Sequence, residues 1–383
     1  MLQMIASSLH PFLAAAIGAG PEAPRPQSDE WERIFREASE HSLLHRLRRV
    51  EGMPAALSAH FRAHCLEISA RNLALAGELR TLLRAFASDR LECAPLRGLA
   101  LTEILYSGPV PRPSGDIDLV VRREDLPEVR AMLDRLGFWE MDRRPGFAET
   151  FSYTLKFVRE SSFTVIVEPH WTIAYPPFVD RIDMREVWER MVPAVVAGEP
   201  TLSLAAEDLL LHLTLHYNHR DDPPLLWLWE LDRFVRRQAG ALRWEQLLAL
   251  ARRAGVGEFV HRSLGTAVAS FETPVPNEVL AALDASRGRD AVLPPARRLA
   301  QDFEFNEREG LALLLSIDGL ALKWLYVRGL LFPSPTFMMA QYGLRHRGQL
   351  VAAYVRRFFR LTWDGVRGLA RIVLPRRRRS RAS

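Results

Sequence analysis

Between residues 107 and 115 the chain carries Gly108, Pro109, Pro111, Pro113 and Gly115, and it then reads Asp116-Ile117-Asp118-Leu119-Val120-Val121. Proline removes a backbone donor and fixes φ, so neither a helix nor a central strand survives that density of breakers. The segment is therefore a loop, and the β-prone run after it is a strand. This junction constrains the fold most, because helical periodicity surrounds it on both sides. Upstream, Trp31, Ile34, Phe35 and Ala38 recur at helical spacing, as do Leu66, Leu73, Ala76, Leu79, Leu82, Leu83 and Phe86. Downstream, Leu126, Val129, Leu133 and Leu136 repeat in a helix from Glu124 that stops at Gly137. Phe151 to Val158 and Phe163 to Val167 read as a hairpin joined by Arg159 to Ser162. From about residue 205 the pattern is helical again, most clearly over 209–219, 225–236, 244–253 and 258–269. The expected fold class is α+β, with a small mixed-sheet core flanked by N-terminal helices and a larger C-terminal helical region. The expected segments are 1–90 (helical), 91–200 (core), 201–345 (a second helical domain) and 346–383 (a basic amphipathic helix with an Arg-rich tail).

The 383 residues are 48% hydrophobic and 25% charged, enough for two or three domains and inconsistent with wholesale disorder. Cys65 and Cys93 are the two cysteines and no Cys-x-x-Cys occurs, which excludes a disulfide framework and a Cys-based zinc site. A reducing, cytoplasmic setting follows. The N-terminus lacks the basic start of a secretory signal, and its apolar stretch carries His10 and Pro11. The run from Leu311 to Phe332 contains Asp318, Lys323 and Arg328, which argues against a membrane span.

The chemistry concentrates at two places, Leu96-Arg97-Gly98-Leu99-Ala100 and Asp116-Ile117-Asp118. Side chains two apart on a strand share a face, so Asp116 and Asp118 project together. Two adjacent carboxylates repel unless a cation sits between them, and Mg²⁺ uses such hard oxygen ligands while leaving positions open for phosphate and water. Gly98, just before a helix-like piece, lets backbone N–H groups approach a phosphate. Glu168 ends the β-prone run Phe163 to Glu168; if that strand lies beside the Asp116 strand, Glu168 faces the same metals. Two metals would then clamp the attacking and leaving oxygens of a phosphoryl or nucleotidyl displacement.

A glycine turn, a helix, a loop, Asp-x-Asp on a strand and a third acid on a later strand resemble the DNA polymerase β-like nucleotidyltransferase superfamily. More closely, the text is similar to a bacterial family of uncharacterised nucleotidyltransferases. The matching pieces are Arg97-Gly98, Arg112 with Ser114-Gly115-Asp116-Ile117-Asp118-Leu119, Leu133 to Phe138, and Val167-Glu168-Pro169-His170-Trp171. Downstream, Glu207 to His212, His216, His219 and Trp229 to Asp232 match as well. The resemblance implies a polymerase β-like mixed sheet with helices. It implies Mg²⁺, two ions with Mn²⁺ as a substitute, on Asp116, Asp118 and Glu168, and a nucleoside triphosphate donor. Gly98 becomes the phosphate turn, with Arg97, Arg112 and Ser114 as further nucleotide contacts. Two positions depart from the superfamily: Leu99 stands where a serine usually follows the glycine, and Glu168 stands where Asp is more frequent.

The expected activity is Mg²⁺-dependent transfer of a nucleoside monophosphate from a triphosphate to an acceptor, a small molecule, peptide or protein, with release of pyrophosphate. The helical region after 205 would shape the acceptor site. The alternatives are a nucleotide-binding module with weak chemistry, motivated by Leu99, and a membrane-surface adaptor. His170 and Trp171 read chiefly as packing at the edge of the core. His212, His216 and His219 share one helical face and read as a helix packed on the catalytic domain, with no accompanying motif for zinc. Trp227, Trp229 and Trp244 read as core. From Leu344 onward 12 Arg face one acid, Asp364, in a chain whose net charge is +5. Val355, Phe358, Phe359, Thr362, Val366, Leu369 and Val373 form an apolar stripe there, followed by Pro375-Arg376-Arg377-Arg378-Arg379-Ser380-Arg381. Residues 350–383 could contact an anionic membrane surface at the inner face of the membrane, or dock on the body with a solvated tail. Nucleic acid competes through its phosphates, and sequence-specific nucleic-acid binding is not expected.

Overall fold

A computed structural model describes residues 9–47, 52–106, 112–141, 146–175, 178–220, 222–285, 314, 317 and 319–373. The first five residues of the breaker loop, most of the 311–318 run and the Arg-rich end lie outside the described residues. The chain divides into two compact units, Met1–Trp139 with Phe157–Ala291, and Glu140–Lys156 with Val292–Ser383.

In the first unit, α1 (Pro11–Ile17), α2 (Trp31–Glu40) and the 34-residue α3 (Ala55–Ser88) precede the sheet. β1 (Cys93–Pro95) enters it, and Gly98 turns the chain into α4 (Leu99–Leu105). β2 (Ile117–Val121) is buried along its whole length. α5 (Leu126–Arg135) ends as expected at Gly137, whose φ of +81° lets Phe138 N–H reach back to the Leu133 carbonyl at 2.9 Å. β3 (Trp139–Glu140) is an edge strand, and α6 (Phe147–Phe151) belongs to the second unit. β4 (Phe157–Glu160) and β5 (Thr164–His170) form the expected hairpin. The sheet order is β1-β2-β5-β4-β3. β1 runs antiparallel to β2, β2 parallel to β5, and β4 antiparallel to β5, so the sheet is mixed. β5 continues through Pro169 because its ladder with β4 ends at Val167, so no β4 partner needs the missing N–H.

α7 (Met184–Arg190) leads into a second hairpin, β6 (Val192–Val196) and β7 (Glu199–Ser203). Its turn, Ala197-Gly198, has positive φ at both residues, which matches the twist of a two-residue hairpin. α8 (Ala206–Tyr217), α9 (Leu225–Gln238), α10 (Trp244–Ala254), α11 (Gly257–Phe271) and α12 (Asn277–Asp284) follow. α8 is buried all round from Glu207 to Tyr217 and packs on α9, α10 and α11. A helix buried on every side must partner its polar groups. Glu207 accepts from Arg243, and Asp208 takes a bidentate pair from Arg190 at 2.9 Å for each bond.

In the second unit, α13 (Leu320–Leu331), α14 (Pro335–Tyr342) and α15 (Leu350–Val373) pack together, and Phe147 and Phe151 of α6 lie against Tyr326 of α13. A Cβ at Gly329 would run into the Phe147 ring, so this approach needs glycine. No helix among the described residues is long and apolar enough to cross a membrane.

The fold class is α+β as expected, and three details differ. Phe151 ends a short helix instead of opening a strand, because its ring packs on Tyr326. Leu66 and Leu73 are exposed (70% and 76%), since burial along α3 concentrates on Leu75, Leu79, Leu82, Leu83 and Phe86. Trp229 is core, whereas Trp227 and Trp244 are half-buried.

Candidate functional site

The parallel register of β2 and β5 sets Asp118 opposite Glu168 and Val120 opposite His170. Alternation then brings Asp118, Glu168 and His170 to one face of the sheet. One ligand atom from each lies within 4.8 Å of the others, a grouping able to hold a metal ion. Asp118 is buried; its Oδ1 accepts from His170 Nε2 at 2.9 Å and its Oδ2 from Arg97 Nη2 at 2.8 Å. Burial alone would raise the pKa of Asp118, but the Arg97 guanidinium and the His170 hydrogen bond outweigh it and hold the carboxyl well below its usual range. Asp116, expected on the strand beside Asp118, stands instead one residue before β2 and is not one of that group of three. Burial first, then the neighbouring Asp118 charge, push its carboxyl up. The two neighbouring carboxylates are thus driven in opposite directions, Asp116 toward its neutral form and Asp118 toward its charged form.

Gly98 holds φ +57° and ψ −114°, a backbone that L side chains rarely adopt. A Cβ there would meet the Asp116 carbonyl at 3.7 Å and Ser114 Oγ at 3.8 Å, ordinary contacts, so conformation and not space demands glycine. The glycine turn thus lies directly against the loop that delivers Asp116. That loop is fastened from α9. Arg112 donates from Nε and Nη2 to the two carboxylate oxygens of Glu230, at 2.5 and 2.9 Å, with both side chains buried. Its Nη1 donates to the Pro113 carbonyl and to Ser114 Oγ, and Tyr106 Oη donates to Glu230 Oε1 at 3.1 Å. Of the expected nucleotide contacts, Gly98 and Ser114 meet at the turn, Arg97 rests on Asp118, and Arg112 is the centre of a brace.

Sequence reasoning gave His170 a packing role and passed over Glu230 as an individual residue. The signal for His170 was its spacing from Glu168, which an intact strand turns into a shared face. Nothing local signalled the Arg112–Glu230 pair.

His212 and His216 lie on α8 as expected, whereas His219 falls two residues past its end at Tyr217, and all three rings lie against Tyr175 beside this group. Arg97 Nη1 lies 2.5 Å from His216 Nε2 and 2.8 Å from its Nδ1, and Tyr175 Oη lies 3.1 Å from the same Nδ1. His212 Nδ1–H donates to the Ile173 carbonyl at 2.8 Å, which leaves a lone pair on its buried Nε2. Burial first, then the Arg97 charge, lower all three histidines, His212 and His219 to about 3 and His216 well below its ordinary value. A histidine neutral in the fold and ordinary when unfolded contributes stability above about pH 6.5 that is lost as pH falls, at about 1.4 kcal/mol per pH unit per group. The raised pKa of Asp116 acts in the opposite direction, but it is one group against three. Urea unfolding at pH 7 and pH 5 should therefore show a steep loss of stability on acidification, shallower by about a third to a half in His219→Gln. Equal stability at both pH values would contradict the buried neutral histidines.

Residues 27–272 match a family model described as "Uncharacterised nucleotidyltransferase". No curated protein and no solved structure matches the chain. The matched span contains the whole group described above, from Arg97 and Gly98 through Asp116, Asp118, Glu168 and His170 to the α8 histidines and Glu230. The chain belongs to this family of uncharacterised nucleotidyltransferases.

Proposed function

We propose that the chain transfers a nucleoside monophosphate from a nucleoside triphosphate to an acceptor nucleophile and releases pyrophosphate. The observation that carries this reading is the clustering of Asp118, Glu168 and His170 within 4.8 Å, next to Asp116, in a member of a nucleotidyltransferase family.

The donor set suits a divalent cation. Carboxylates are hard ligands that fit Mg²⁺ and Mn²⁺, and the imidazole of His170 adds affinity for Mn²⁺. Asp116, Asp118 and Glu168 would hold the metal, with His170 at its edge. Bound there, one or two such ions would polarise the α-phosphate and stabilise the charge that develops on it. The chain's own residues prepare that position. The Arg97 guanidinium and the His170 ring occupy the two oxygens of Asp118, and a cation would compete with both. Displaced from Asp118, the Arg97 fork is placed to take a phosphate oxygen. Gly98 lets the backbone approach the triphosphate, and Ser114 Oγ supplies beside it the hydroxyl that Leu99 does not. Arg112 and Glu230 hold the loop so that Asp116 keeps its place. In the reaction the acceptor oxygen bonds to the α-phosphorus, the bond from that phosphorus to the bridging oxygen breaks, and the acceptor proton passes to a carboxylate of the group.

A cavity of about 450 Å³ opens past the carboxyl ends of β2 and β5, lined by Trp171 and Trp188, by Arg122, Arg123, Arg181 and Arg185, and by the acids Glu124, Asp180 and Asp183. Indole faces and guanidinium groups together suit a planar acceptor, while Arg185 is already paired with Asp183 and Arg122 with Glu92. A second reading, nucleotide binding without transfer, is favoured by one observation, the Arg97 guanidinium seated on Asp118.

Thermal unfolding with each of the four ribonucleoside triphosphates, with and without Mg²⁺ or Mn²⁺, separates the two. A ligand at about 100 times its Kd stabilises by about 2.7 kcal/mol. The proposal expects an upward shift that requires the metal and is lost in Asp116→Asn/Asp118→Asn. A shift without metal would favour the binding module, and no shift in folded protein would remove the nucleotide from the account.

A further inference from the structure

α15 turns its most apolar side away from the helices on which it packs. Its docking side is well anchored: Arg357 Nε donates to the Leu330 carbonyl at 2.7 Å, Tyr354 Oη donates to the Pro333 carbonyl at 2.6 Å, and Ala353, next to Tyr354, is buried. The exposed side carries Val351, Val355, Phe358, Phe359 and Trp363, of which Val351 is 73% exposed and Phe359 67%. At about 100° per residue these five span one stripe centred roughly opposite the docking side. In the same unit, α13 exposes Leu320 and Trp324, and Phe332 just beyond it is 60% exposed. A helix in water does the reverse, burying its apolar stripe and solvating the other face. Isolated exposed apolar residues need no explanation, but a continuous stripe of aromatic and aliphatic side chains does.

The charge next to the stripe selects the occupant. Arg356 and Arg360 border it, their guanidinium groups 4.9 and 5.6 Å over the Tyr342 ring. The sequence adds Arg367, Arg371, Arg376 to Arg379 and Arg381, against the one acid Asp364. A second copy would bring a matching set of arginines against these, with no acids to answer them. A nucleic-acid backbone would satisfy the arginines and leave the Val, Phe and Trp side chains in water. An anionic bilayer takes both, with apolar side chains below the headgroups, Trp at the interface and Arg on lipid phosphates. We propose that α15, with the exposed side chains of α13, docks the chain on an anionic lipid surface, α15 lying in the plane of the interface. This inference is independent of the nucleotidyl-transfer reading.

The test is sedimentation of the full-length chain with vesicles of phosphatidylcholine alone and of phosphatidylcholine mixed with phosphatidylglycerol, at low and high salt. Binding is expected to the mixed vesicles, weakened but not abolished by salt. Phe359→Ser/Trp363→Ser should lower the partition coefficient about tenfold or more through lost apolar burial. Arg356→Gln/Arg360→Gln should lower it by a similar factor at low salt and little at high salt. The altered side chains lie on an exposed stripe, so the thermal midpoint of each variant should equal that of the wild type, which separates lost docking from lost fold. No binding to the mixed vesicles, equal binding to both vesicle types, or undiminished binding of the Phe359/Trp363 variant would overturn the proposal. Concentration-dependent dimerisation that the same variant removes, without vesicle binding, would assign the face to a second copy and overturn it as well.

Discussion

Changing Asp118 to Asn should lower nucleotide transfer by about a thousandfold or more, the upper end of what one electrostatic group contributes to a transition state. Both carboxylate oxygens are committed, Oδ1 to His170 and Oδ2 to Arg97, and the full negative charge is what a cation must find there. An amide of the same shape keeps one acceptor and loses the charge. It also points N–H donors toward Arg97 or His170, where acceptors are needed. Pyrophosphate release from the triphosphate that binds best measures the effect, with the wild type as reference. The circular dichroism of the metal-free variant should stay that of the wild type, because the change also removes the repulsion between residues 116 and 118. Retained release at more than about a tenth of the wild-type rate would remove Asp118 from the chemistry.

Glu230→Ala should cost about 3–5 kcal/mol of stability, the range for stripping one partner from a buried ion pair. Arg112 cannot shed its proton, is 7% exposed, and would keep one carbonyl and one hydroxyl acceptor of its present set. Against a typical total of about 5–15 kcal/mol for a folded domain, that loss is large. Replacing both partners with apolar residues of similar volume, Arg112→Met/Glu230→Leu, should cost far less, because no uncompensated charge stays behind. Urea denaturation of the three proteins decides it. Equal losses in the single and double variants would mean that the brace contributes packing and not charge pairing.

The elements that position the site were legible where the signal is local. The breaker-dense loop, the strand that carries Asp118, the stop at Gly137 and the hairpin that ends in Glu168 are each written in a dozen residues or fewer. The group's arrangement is not local. Asp118 meets Glu168 through a parallel register between distant segments, and parallel pairing leaves no turn signature to read. His170 was obscured by Pro169, a residue that argues against a strand unless one flank has run out of partner, as β4 has at Phe157. Arg112 and Glu230 lie 118 residues apart, and each alone reads as a surface charge. The β6–β7 hairpin escaped notice because Ala197-Gly198 stands where Asn-Gly would have announced the turn. Leu66 and Leu73 fit the helical period of α3, but a helix roughly 50 Å long can bury only the part that meets the body.

The central claim is that Asp118 and Glu168, with Asp116 and His170 beside them, hold a divalent cation on which the nucleotide depends. Titrating Mn²⁺ into the full-length chain and following the free ion by electron paramagnetic resonance, with and without the triphosphate that stabilises the fold best, tests it without needing the acceptor. The account predicts saturable Mn²⁺ binding that tightens when the triphosphate is present, and loss of that binding in Asp118→Asn and in Glu168→Gln. Undiminished Mn²⁺ binding in both variants, or none in the wild type with nucleotide present, would contradict it.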